Sequence, residues 1–230
     1  MPAYRAEHTL RWTVRDVPPR SADHLLLVDD ASPDATVDVA RNLGIDVRVH
    51  DLNRGYGANQ KTCYREALNL GATVVVLLHP DYQYDPASIP ALVAPILAGR
   101  ADFTFGSRFA GGADPRQGGM PQYRFWGNRF TTWAENRLLR TRFTEMHSGM
   151  KAYSRHALET LPFDGYSDGF LFDTEILVGA LLAGIGVVEV PIPTRYTKES
   201  SSISVVRSVD YVVRSIAICG RARRRRRSTA

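Results

Sequence analysis

The chain has 230 residues, of which 44% are hydrophobic and 23% charged, and its formal net charge is +5 at pH 7. This composition predicts one folded domain with a large core and excludes a chain too polar to fold. No apolar run approaches the roughly 20 residues that a membrane-spanning helix needs, so we expect a cytoplasmic protein. The two cysteines, Cys63 and Cys219, lie far apart and fit a reducing compartment.

The positive charge is concentrated at the C-terminus, where six arginines lie between Arg221 and Arg227. Because these like charges repel one another, we predict a disordered tail over residues 220–230. An anionic membrane surface is the partner that we expect for it. Nucleic acid is not expected, because no basic face with interleaved aromatic residues precedes the tail.

The first half of the chain alternates short apolar runs with helical patterns. It opens with a helical pattern through Leu10, Val14 and Val17, with no strand before it. The predicted strands then cover residues 25–28, 47–50, 73–78 and 102–106, and the predicted helices cover 34–43, 58–70 and 86–98. Strands that alternate with helices predict an α/β fold with a mostly parallel, Rossmann-like sheet flanked by helices.

The second half begins with a loop rich in Gly and Pro over residues 111–121, whose length predicts a lid or a binding loop. The predicted helices cover 125–139, 154–161 and 172–183, and the predicted strands cover 150–153 and 187–191. A last, amphipathic helix spans Val205 to Ile218. Two interpretations of this helix stay open: it packs against its own domain, or it lies on a bilayer with its arginines at the headgroups.

Two of the predicted strands end in acidic segments. Asp29 and Asp30 end the first, and His79, Asp81 and Gln83 follow the third. The carboxyl ends of parallel strands line the ligand crevice of an open α/β sheet, where a carboxylate is costly unless a cation or strong donors face it. These residues predict a divalent metal and a polar ligand bound together, as in a nucleotide-sugar site.

Aspartate after a strand also commonly caps a helix or closes a turn. For Asp34 and Asp85, which precede helical patterns, both interpretations stay open. For Asp81 the His-x-Asp-x-Gln spacing favours metal or phosphate binding, because it offers three ligand side chains on one short loop.

Transfer of a sugar from a nucleoside diphosphate builds up negative charge on the leaving diphosphate, and a bound divalent cation neutralises that charge. The motifs that could serve this chemistry occur in a specific order. They are Pro2-Ala3-Tyr4, Val28-Asp29-Asp30-Ala31-Ser32-Pro33-Asp34-Ala35-Thr36, Asn53-Arg54-Gly55-Tyr56-Gly57-Ala58 and Gly106-Ser107-Arg108. With them the chain resembles, over nearly its whole length, the family 2 glycosyltransferases of GT-A fold. Within that family it is similar to the branch of dolichol-phosphate mannose synthase and bacterial polyprenyl-phosphate sugar transferases.

The resemblance implies a nucleotide site and a metal site. The implied nucleotide contacts are Pro2, Ala3, Tyr4, Asp29, Asp30, Gly55 and Gly57. Asp81 is the implied principal metal ligand, with Gln83 beside it. His79 stands where the family has the first acid of Asp-x-Asp. Because an imidazole replaces a carboxylate there, we expect a weaker Mg²⁺ site that favours Mn²⁺.

The resemblance also implies an acceptor site. Arg108, Arg124 and Arg129 are the implied clamp for the acceptor phosphate, although a solvated helix face is an open alternative for the last two. Glu145 and Ser148 are placed near the sugar. Besides Asp81 and Arg108, the candidate catalytic residues are Asp173 and Glu175. These two acids act as a base on a hydroxyl acceptor, whereas beside a lipid phosphate they cap a helix and orient the arginines.

The same resemblance divides the chain. Residues 1–203 form the glycosyltransferase domain, with a nucleotide-sugar half over 1–108 and an acceptor half over 109–203, followed by the amphipathic helix over 204–219 and the tail. Family members carry an apolar strand directly before the Pro-Ala-Tyr segment, which is absent here. We therefore expect a start upstream of Met1, and we expect that an added apolar strand raises the melting temperature.

The leading hypothesis is an inverting, metal-dependent transfer of a hexose from a nucleotide sugar to a polyprenyl or dolichyl phosphate, at the inner face of the membrane. GDP-mannose and UDP-glucose both stay open as donors. One alternative is the same transfer to a saccharide hydroxyl of a polysaccharide or glycolipid. Another is an inactive relative that binds nucleotide or serves as a membrane scaffold.

Overall fold

A computed structural model describes residues 1–112, 114–195 and 205–228 of the chain, with side chains described up to residue 195 and from 208 to 226. The strands are β1 (Pro2–Ala3), β2 (Leu26–Asp29), β3 (Asp46–Val49), β4 (Val74–Leu77), β5 (Phe103–Ser107), β6 (Lys151–Ser154) and β7 (Val187–Pro191). The α-helices are α1 (Leu10–Arg15), α2 (Thr36–Asn42), α3 (Tyr56–Asn69), α4 (Ile89–Leu97), α5 (Gln122–Leu139), α6 (Arg155–Thr160), α7 (Phe172–Leu182) and α8 (Val205–Ser228).

The strands form two neighbouring sheets. One is the parallel sheet β1-β2-β3, and the other has the order β4-β6-β5-β7. In the second sheet β6 is antiparallel to both β4 and β5, while β5 and β7 are parallel. The carboxyl ends of β4 and β5 therefore share an edge with the start of β6. The predicted α/β fold with a mostly parallel sheet and flanking helices is confirmed.

The first strand differs from the prediction that no strand precedes α1. Pro2 and Ala3 form β1, which pairs in parallel register with Val28 and Asp29 of β2. The Met1 amino group donates to the Leu26 carbonyl oxygen at 2.7 Å. Beside this short strand lies a cavity of about 560 Å³, lined by residues of β2, α3, β4 and α4. No strand within the described ranges bridges β2 and β4.

Helix α8 departs from the predicted disordered tail over 220–230, because the helix continues to Ser228. Its buried residues Ile218, Cys219 and Ala222 join the core that α7 and the second sheet form. The Arg226 guanidinium donates to the carbonyl oxygens of Leu139 and Leu181, at the ends of α5 and α7. These contacts satisfy helix-end carbonyls and offset the repulsion among the arginines. Of the two open interpretations, α8 thus packs against its own domain.

The predicted domain boundary between 203 and 204 falls outside the described residues, as does the end of the tail at 229–230. Within the described part of the chain, no helix has both the length and the apolar composition that crossing a membrane requires.

Candidate active site

A pocket of about 290 Å³ opens where β4 and β5 end and β6 begins. Its walls come from the loop after β4, from the first three turns of α5, and from α7 and α8. The predicted site residues that line it are His79, Asp81, Gln83, Arg108, Arg124 and Asp173. Met120, at the end of the predicted Gly- and Pro-rich loop, contributes an apolar wall. The topology therefore brings the predicted metal loop and two of the three predicted phosphate-binding arginines into one cavity.

The loop after β4 presents the three predicted metal ligands. The backbone amide of Gln83 donates to Asp81 Oδ1 at 3.1 Å. The His79 ring stacks on the Tyr56 ring with centroids 5.4 Å apart. Burial lowers the pKa of His79, although Asp81 opposes this effect, so the imidazole is neutral and keeps a nitrogen lone pair. Gly149 fits against this ring only because it lacks a Cβ, which would lie 2.9 Å from His79 Cδ2.

The side chains of this loop are chemically suited to hold a divalent cation. The described residues contain no group of three or more His, Cys, Asp or Glu side chains arranged for a metal. A carboxylate, an amide oxygen and a neutral imidazole nevertheless line the same pocket. A cation bound through few protein ligands completes its shell with phosphate oxygens and water. Asp81, Gln83 and His79 are therefore compatible with the predicted metal and stay a prediction as its ligands.

Asp173 is held by three donors from two elements, α3 and β6. Tyr56 Oη donates to it at 2.7 Å, Gln60 Nε2 at 3.1 Å and Lys151 Nζ at 2.5 Å. Lys151 is 2% exposed, and burial lowers its pKa while the Asp173 carboxylate opposes that effect. The three donors occupy both oxygens of the Asp173 carboxylate. Asp173 thus ties α7 to α3 and β6 at the floor of the pocket.

Glu175 is the second acid that was predicted as a base, and it lies outside the pocket lining. Its Oε2 accepts a hydrogen bond of 2.6 Å from the Ser167 amide. This bond fixes the loop ahead of α7, so the geometry gives Glu175 a structural role rather than a place beside the acceptor.

Arg108 and Glu145 form a buried ion pair, with exposed fractions of 8% and 0%. Arg108 Nε lies 2.8 and 3.0 Å from the two carboxylate oxygens, and the Arg108 amide donates to Oε2 at 2.8 Å. Asn128 Nδ2 donates to Oε1 at 2.9 Å. Glu145 was predicted near the sugar, but it lies behind the pocket lining and orients Arg108. Ser148 is also buried outside the lining, and its hydroxyl has no hydrogen-bond partner among the described residues.

The two arginines predicted on α5 have different positions. Arg124 lines the pocket, and its Nε donates to Tyr123 Oη at 3.1 Å. Arg129 is exposed and lies over the Phe125 ring, 5.9 Å from its centroid. Because these residues are five positions apart, a helix of 3.6 residues per turn directs them to different sides. Arg124 therefore fits the predicted phosphate clamp and Arg129 does not.

The predicted nucleotide contacts form a separate group that does not line this pocket. Asp30 is 3% exposed and accepts hydrogen bonds from the His50 ring and from the amides of Arg54 and Gly55. Asp29 is fully buried. Its Oδ2 accepts from the Ser32 amide, and its Oδ1 has no partner within the described chain.

The N-terminal segment of the predicted nucleotide site is anchored to α3. Pro2 and Ala3 are buried, and Asn59 Nδ2 donates to the Ala3 carbonyl oxygen at 3.2 Å. The Tyr4 side chain is 47% exposed. An exposed aromatic ring beside buried carboxylates is compatible with stacking on a base, and this group of contacts stays a prediction.

The glycines at the start of α3 have a packing role. A Cβ on Gly55 would lie 2.8 Å from the Asp168 carbonyl oxygen, and one on Gly57 would lie 2.3 Å from that of Ser167. The amides of Gly57 and Ala58 donate to Asp168 O at 2.7 and 3.2 Å. The first amides of α3 are thus already paired, so the structure explains both glycines without a phosphate.

His147 lines the pocket, although its role was not readable from the sequence. Its Nε2 lies 3.0 Å from Glu135 Oε2 on α5, and its Nδ1 lies 2.9 Å from Tyr211 Oη on α8. Burial acts to lower the pKa of His147, but the carboxylates of Glu135 and Glu145 outweigh it, so the pKa is raised. Lys151, Tyr56 and Gln60 were missed in the same way, because their partners are distant in sequence.

A mostly parallel α/β sheet with an acidic loop at the carboxyl edge is the GT-A architecture. The solved structure of glucosyl-3-phosphoglycerate synthase from Mycobacterium tuberculosis, in complex with Mn²⁺, uridine diphosphate and glucosyl-3-phosphoglycerate, aligns with a TM-score of 0.72. The alignment covers 96% of this chain and 77% of that chain at 18% sequence identity. This likeness defines the class of protein as a GT-A glycosyltransferase fold.

The sequence comparisons define the family. The family described as Glycosyl transferase family 2 matches residues 1–161, and the chain belongs to this family; it is a glycosyltransferase. The UDP-N-acetylglucosamine–dolichyl-phosphate N-acetylglucosaminyltransferase of Methanococcus voltae is 26% identical over 217 residues, 87% of this chain and 86% of the relative. The undecaprenyl-phosphate mannosyltransferase of Micrococcus luteus is 30% identical over 205 residues, 84% and 80% of the two chains. The resemblance to the lipid-phosphate branch is confirmed.

Proposed function

We propose that this glycosyltransferase moves a hexose from a nucleoside diphosphate sugar to a polyprenyl phosphate, with inversion and with a divalent cation. One observation carries the proposal. The acidic loop of Asp81 faces the same pocket as Arg108 and Arg124. Of the two acids suited to activate a hydroxyl, Asp173 lines this pocket but pairs with Lys151, and Glu175 lies outside the lining and accepts from the Ser167 amide. Such a pocket suits an acceptor that arrives already ionised.

The metal side of the pocket supports the donor half of the proposal. Asp81 would hold Mn²⁺ or Mg²⁺ together with Gln83 and His79, and the bound cation would neutralise the charge that grows on the leaving diphosphate. The His79 ring is held by its stack on Tyr56. Little side-chain entropy is therefore lost at His79 when a ligand binds.

The basic side supports the acceptor half. A phosphomonoester has a second pKa near 6 and is largely ionised at neutral pH, so no base has to remove a proton during attack. Arg124 can pair with such a phosphate through its guanidinium. Arg108 lines the same pocket and is held there by a buried ion pair between its Nε and Nη2 groups and Glu145. The two relatives, a dolichyl-phosphate N-acetylglucosaminyltransferase and an undecaprenyl-phosphate mannosyltransferase, support the same acceptor class.

The test is release of nucleoside diphosphate from a panel of GDP- and UDP-sugars, with Mn²⁺ or EDTA, in the presence or absence of a short polyprenyl phosphate in detergent. We expect release from one donor that requires both the metal and the lipid phosphate. Arg124→Gln should lower it at least about tenfold, since a charge-assisted contact is worth about 1.5–3 kcal/mol. The exposed Arg41→Gln on α2 is the matched control.

The same panel separates the alternatives. Release that needs a saccharide hydroxyl and ignores the lipid phosphate would replace the proposed acceptor. Nucleotide binding without release from any donor, in a chain shown by circular dichroism to be folded, would instead support an inactive relative. Turnover that is unchanged by EDTA would remove the metal from the proposal.

A further inference from the structure

Helix α5 exposes a row of large aromatic side chains. We call this row the α5 stripe, and its members are Tyr123, Trp126, Phe130 and Trp133. Their spacing of three, four and three residues places them on one face of the helix. Their exposed fractions are 55%, 61%, 59% and 64%. The opposite face of α5 packs against the domain, and its buried residues include Phe125, Thr132 and Leu139. The stripe is therefore not needed for the packing of the helix on its own domain.

An exposed stripe of this kind is costly in water. A buried aromatic side chain covers roughly 150–250 Å² of surface, and contiguous apolar patches on a soluble surface usually mark a binding site. Phe130 and Trp133 are close to each other, with ring centroids 6.0 Å apart. The patch thus predicts a partner that covers it.

The chemistry of the stripe fits the headgroup region of a bilayer. Trp and Tyr combine an apolar ring with a polar N–H or O–H group and concentrate where membrane and water meet. The exposed cations on the same helix and at its end are Arg129, Arg137 and Arg140. The one acidic residue of α5, Glu135, is 1% exposed. All charged side chains exposed on α5 are therefore cationic and lie among aromatic rings, a basic face that was not predicted from the sequence. This surface complements anionic lipid headgroups.

The position of the stripe relates it to the pocket. Tyr123 belongs to the stripe and also lines the pocket, together with its neighbours Arg124 and Gly127. A surface that rests on this face of α5 would therefore lie beside the pocket mouth. A phosphate on a membrane-embedded prenyl chain would reach the arginines from that side without leaving the bilayer.

We propose that the α5 stripe docks on an anionic phospholipid bilayer and sets the pocket at the headgroup level. Delivery of the acceptor from the bilayer rests on the proposed function, whereas the docking itself does not. This surface is distinct from the C-terminal arginines, which were the membrane contact expected from the sequence.

The test measures binding to vesicles of phosphatidylglycerol and phosphatidylcholine that contain no polyprenyl phosphate, so failure of the transferase proposal leaves the result unaffected. In co-sedimentation, the double variant Trp126→Ala/Trp133→Ala should lower the partition coefficient at least tenfold. Trp12→Ala, which removes a 43% exposed tryptophan on α1, should leave it unchanged. Circular dichroism establishes that both variants are folded. Equal partition of the wild type and the double variant would overturn the proposal.

Fluorescence gives an independent reading. The chain has three tryptophans, so Trp12→Phe leaves only Trp126 and Trp133 as reporters. We expect a blue shift on vesicles and quenching by lipids brominated on the acyl chains. Unquenched tryptophans in a vesicle-bound protein would overturn the proposal and assign binding to another surface.

Loss of vesicle binding in Arg223→Gln/Arg224→Gln/Arg225→Gln, with binding retained in the double variant, would assign the membrane contact to the C-terminal arginines. Concentration-dependent dimerisation that the double variant abolishes, without vesicle binding by the wild type, would assign the stripe to protein contact.

Discussion

At the scale of single residues, the pocket contains two carboxylates in contrasting surroundings. Asp173 is 8% exposed and is held by a buried lysine, a tyrosine and a glutamine. Asp81 is half-buried and accepts from the Gln83 amide within its own loop. Burial and pairing commit Asp173 to the architecture of the site. Asp81 lines the pocket and is only half-buried, so a cation in the pocket can reach its carboxylate.

This contrast predicts that replacing Asp81 lowers activity strongly and changes the melting temperature little. We expect Asp81→Asn to lower nucleoside diphosphate release about a hundredfold or more, because a carbonyl oxygen replaces a charged ligand. The melting temperature should change little, since the Asn oxygen still accepts from the Gln83 amide. The exposed Asp51→Asn serves as the control for loss of one negative charge. Full activity of Asp81→Asn would remove this residue from the metal site.

His147 predicts a pH dependence of stability. The carboxylates of Glu135 and Glu145 raise its pKa against the effect of burial. A raised folded-state pKa means that the stabilisation is fully present below the unfolded pKa of about 6.5 and is lost as pH rises through the folded pKa. The free energy of unfolding lost in His147→Gln should therefore be larger near pH 6 than near pH 9, by roughly 1 kcal/mol or more.

Urea unfolding at both pH values measures this difference, and His156→Gln, an exposed histidine on α6, is the control. An equal loss for His147→Gln at the two pH values would show that folding does not raise the pKa of His147.

At the scale of elements, α8 fastens the acceptor side of the site. Tyr211 contacts His147, and its hydroxyl also lies 3.1 Å from Thr174 Oγ1 of α7. Ser215 hydrogen-bonds to Glu135 of α5 and lies 3.2 Å from Thr174 Oγ1. These buried polar contacts join α5, α7 and α8 into one unit that carries one wall of the pocket. The position of Arg124 thus depends on a helix that lies far along the chain.

The C-terminal end of this unit gives a stability prediction. Arg226 donates to Leu139 O at 3.1 Å and to Leu181 O at 2.5 Å, where the dipoles of α5 and α7 favour a cation. Arg226→Ala should cost about 1 kcal/mol, which corresponds to about 2–4 °C in melting temperature for a chain of this size. Arg221→Ala, which removes an exposed arginine of the same helix, is the control. Equal melting temperatures of the two variants would contradict the capping role.

At the scale of the whole molecule, the two sheets enclose a gap. β1 pairs with β2 over two residues, and the cavity of about 560 Å³ is lined by apolar side chains such as Leu26, Cys63 and Leu77. Empty apolar volume forfeits dispersion contacts and lowers stability. A central strand of a doubly covered sheet is apolar along its whole length. The cavity therefore has the character of a strand position.

This gap predicts that an apolar extension stabilises the fold. Six residues rich in Val and Ile, fused ahead of Met1, should continue β1 between β2 and β4 and raise the melting temperature by about 4 °C or more. A six-residue extension of Gly, Ser and Asn controls for added length, and it should leave the melting temperature unchanged or lower it. Identical melting temperatures for the two fusions would show that the cavity does not accept a strand.

The sequence by itself determined most of the elements, β1 and the end of α8 excepted, and the residue types at the strand ends. Apolar runs after turn residues predicted β2, β4 and β5, and the spacing of His79, Asp81 and Gln83 predicted that these side chains share one loop. Such features depend on local pattern, because neighbours in the chain are neighbours in a strand or a loop. The motif order was likewise sufficient to predict the family.

The tertiary structure alone decided which of these residues meet. Asp173 is 22 residues from Lys151 and 113 from Gln60, so no local pattern could show that its carboxylate is already paired. Helical spacing alone directs Arg124 and Arg129 to different sides, but only the packing of α5 decides that Arg124 faces the pocket. The same packing leaves the aromatic stripe exposed. Partners brought together by packing fix the protonation, orientation and accessibility of a side chain, whereas its position in the chain fixes only its chemistry.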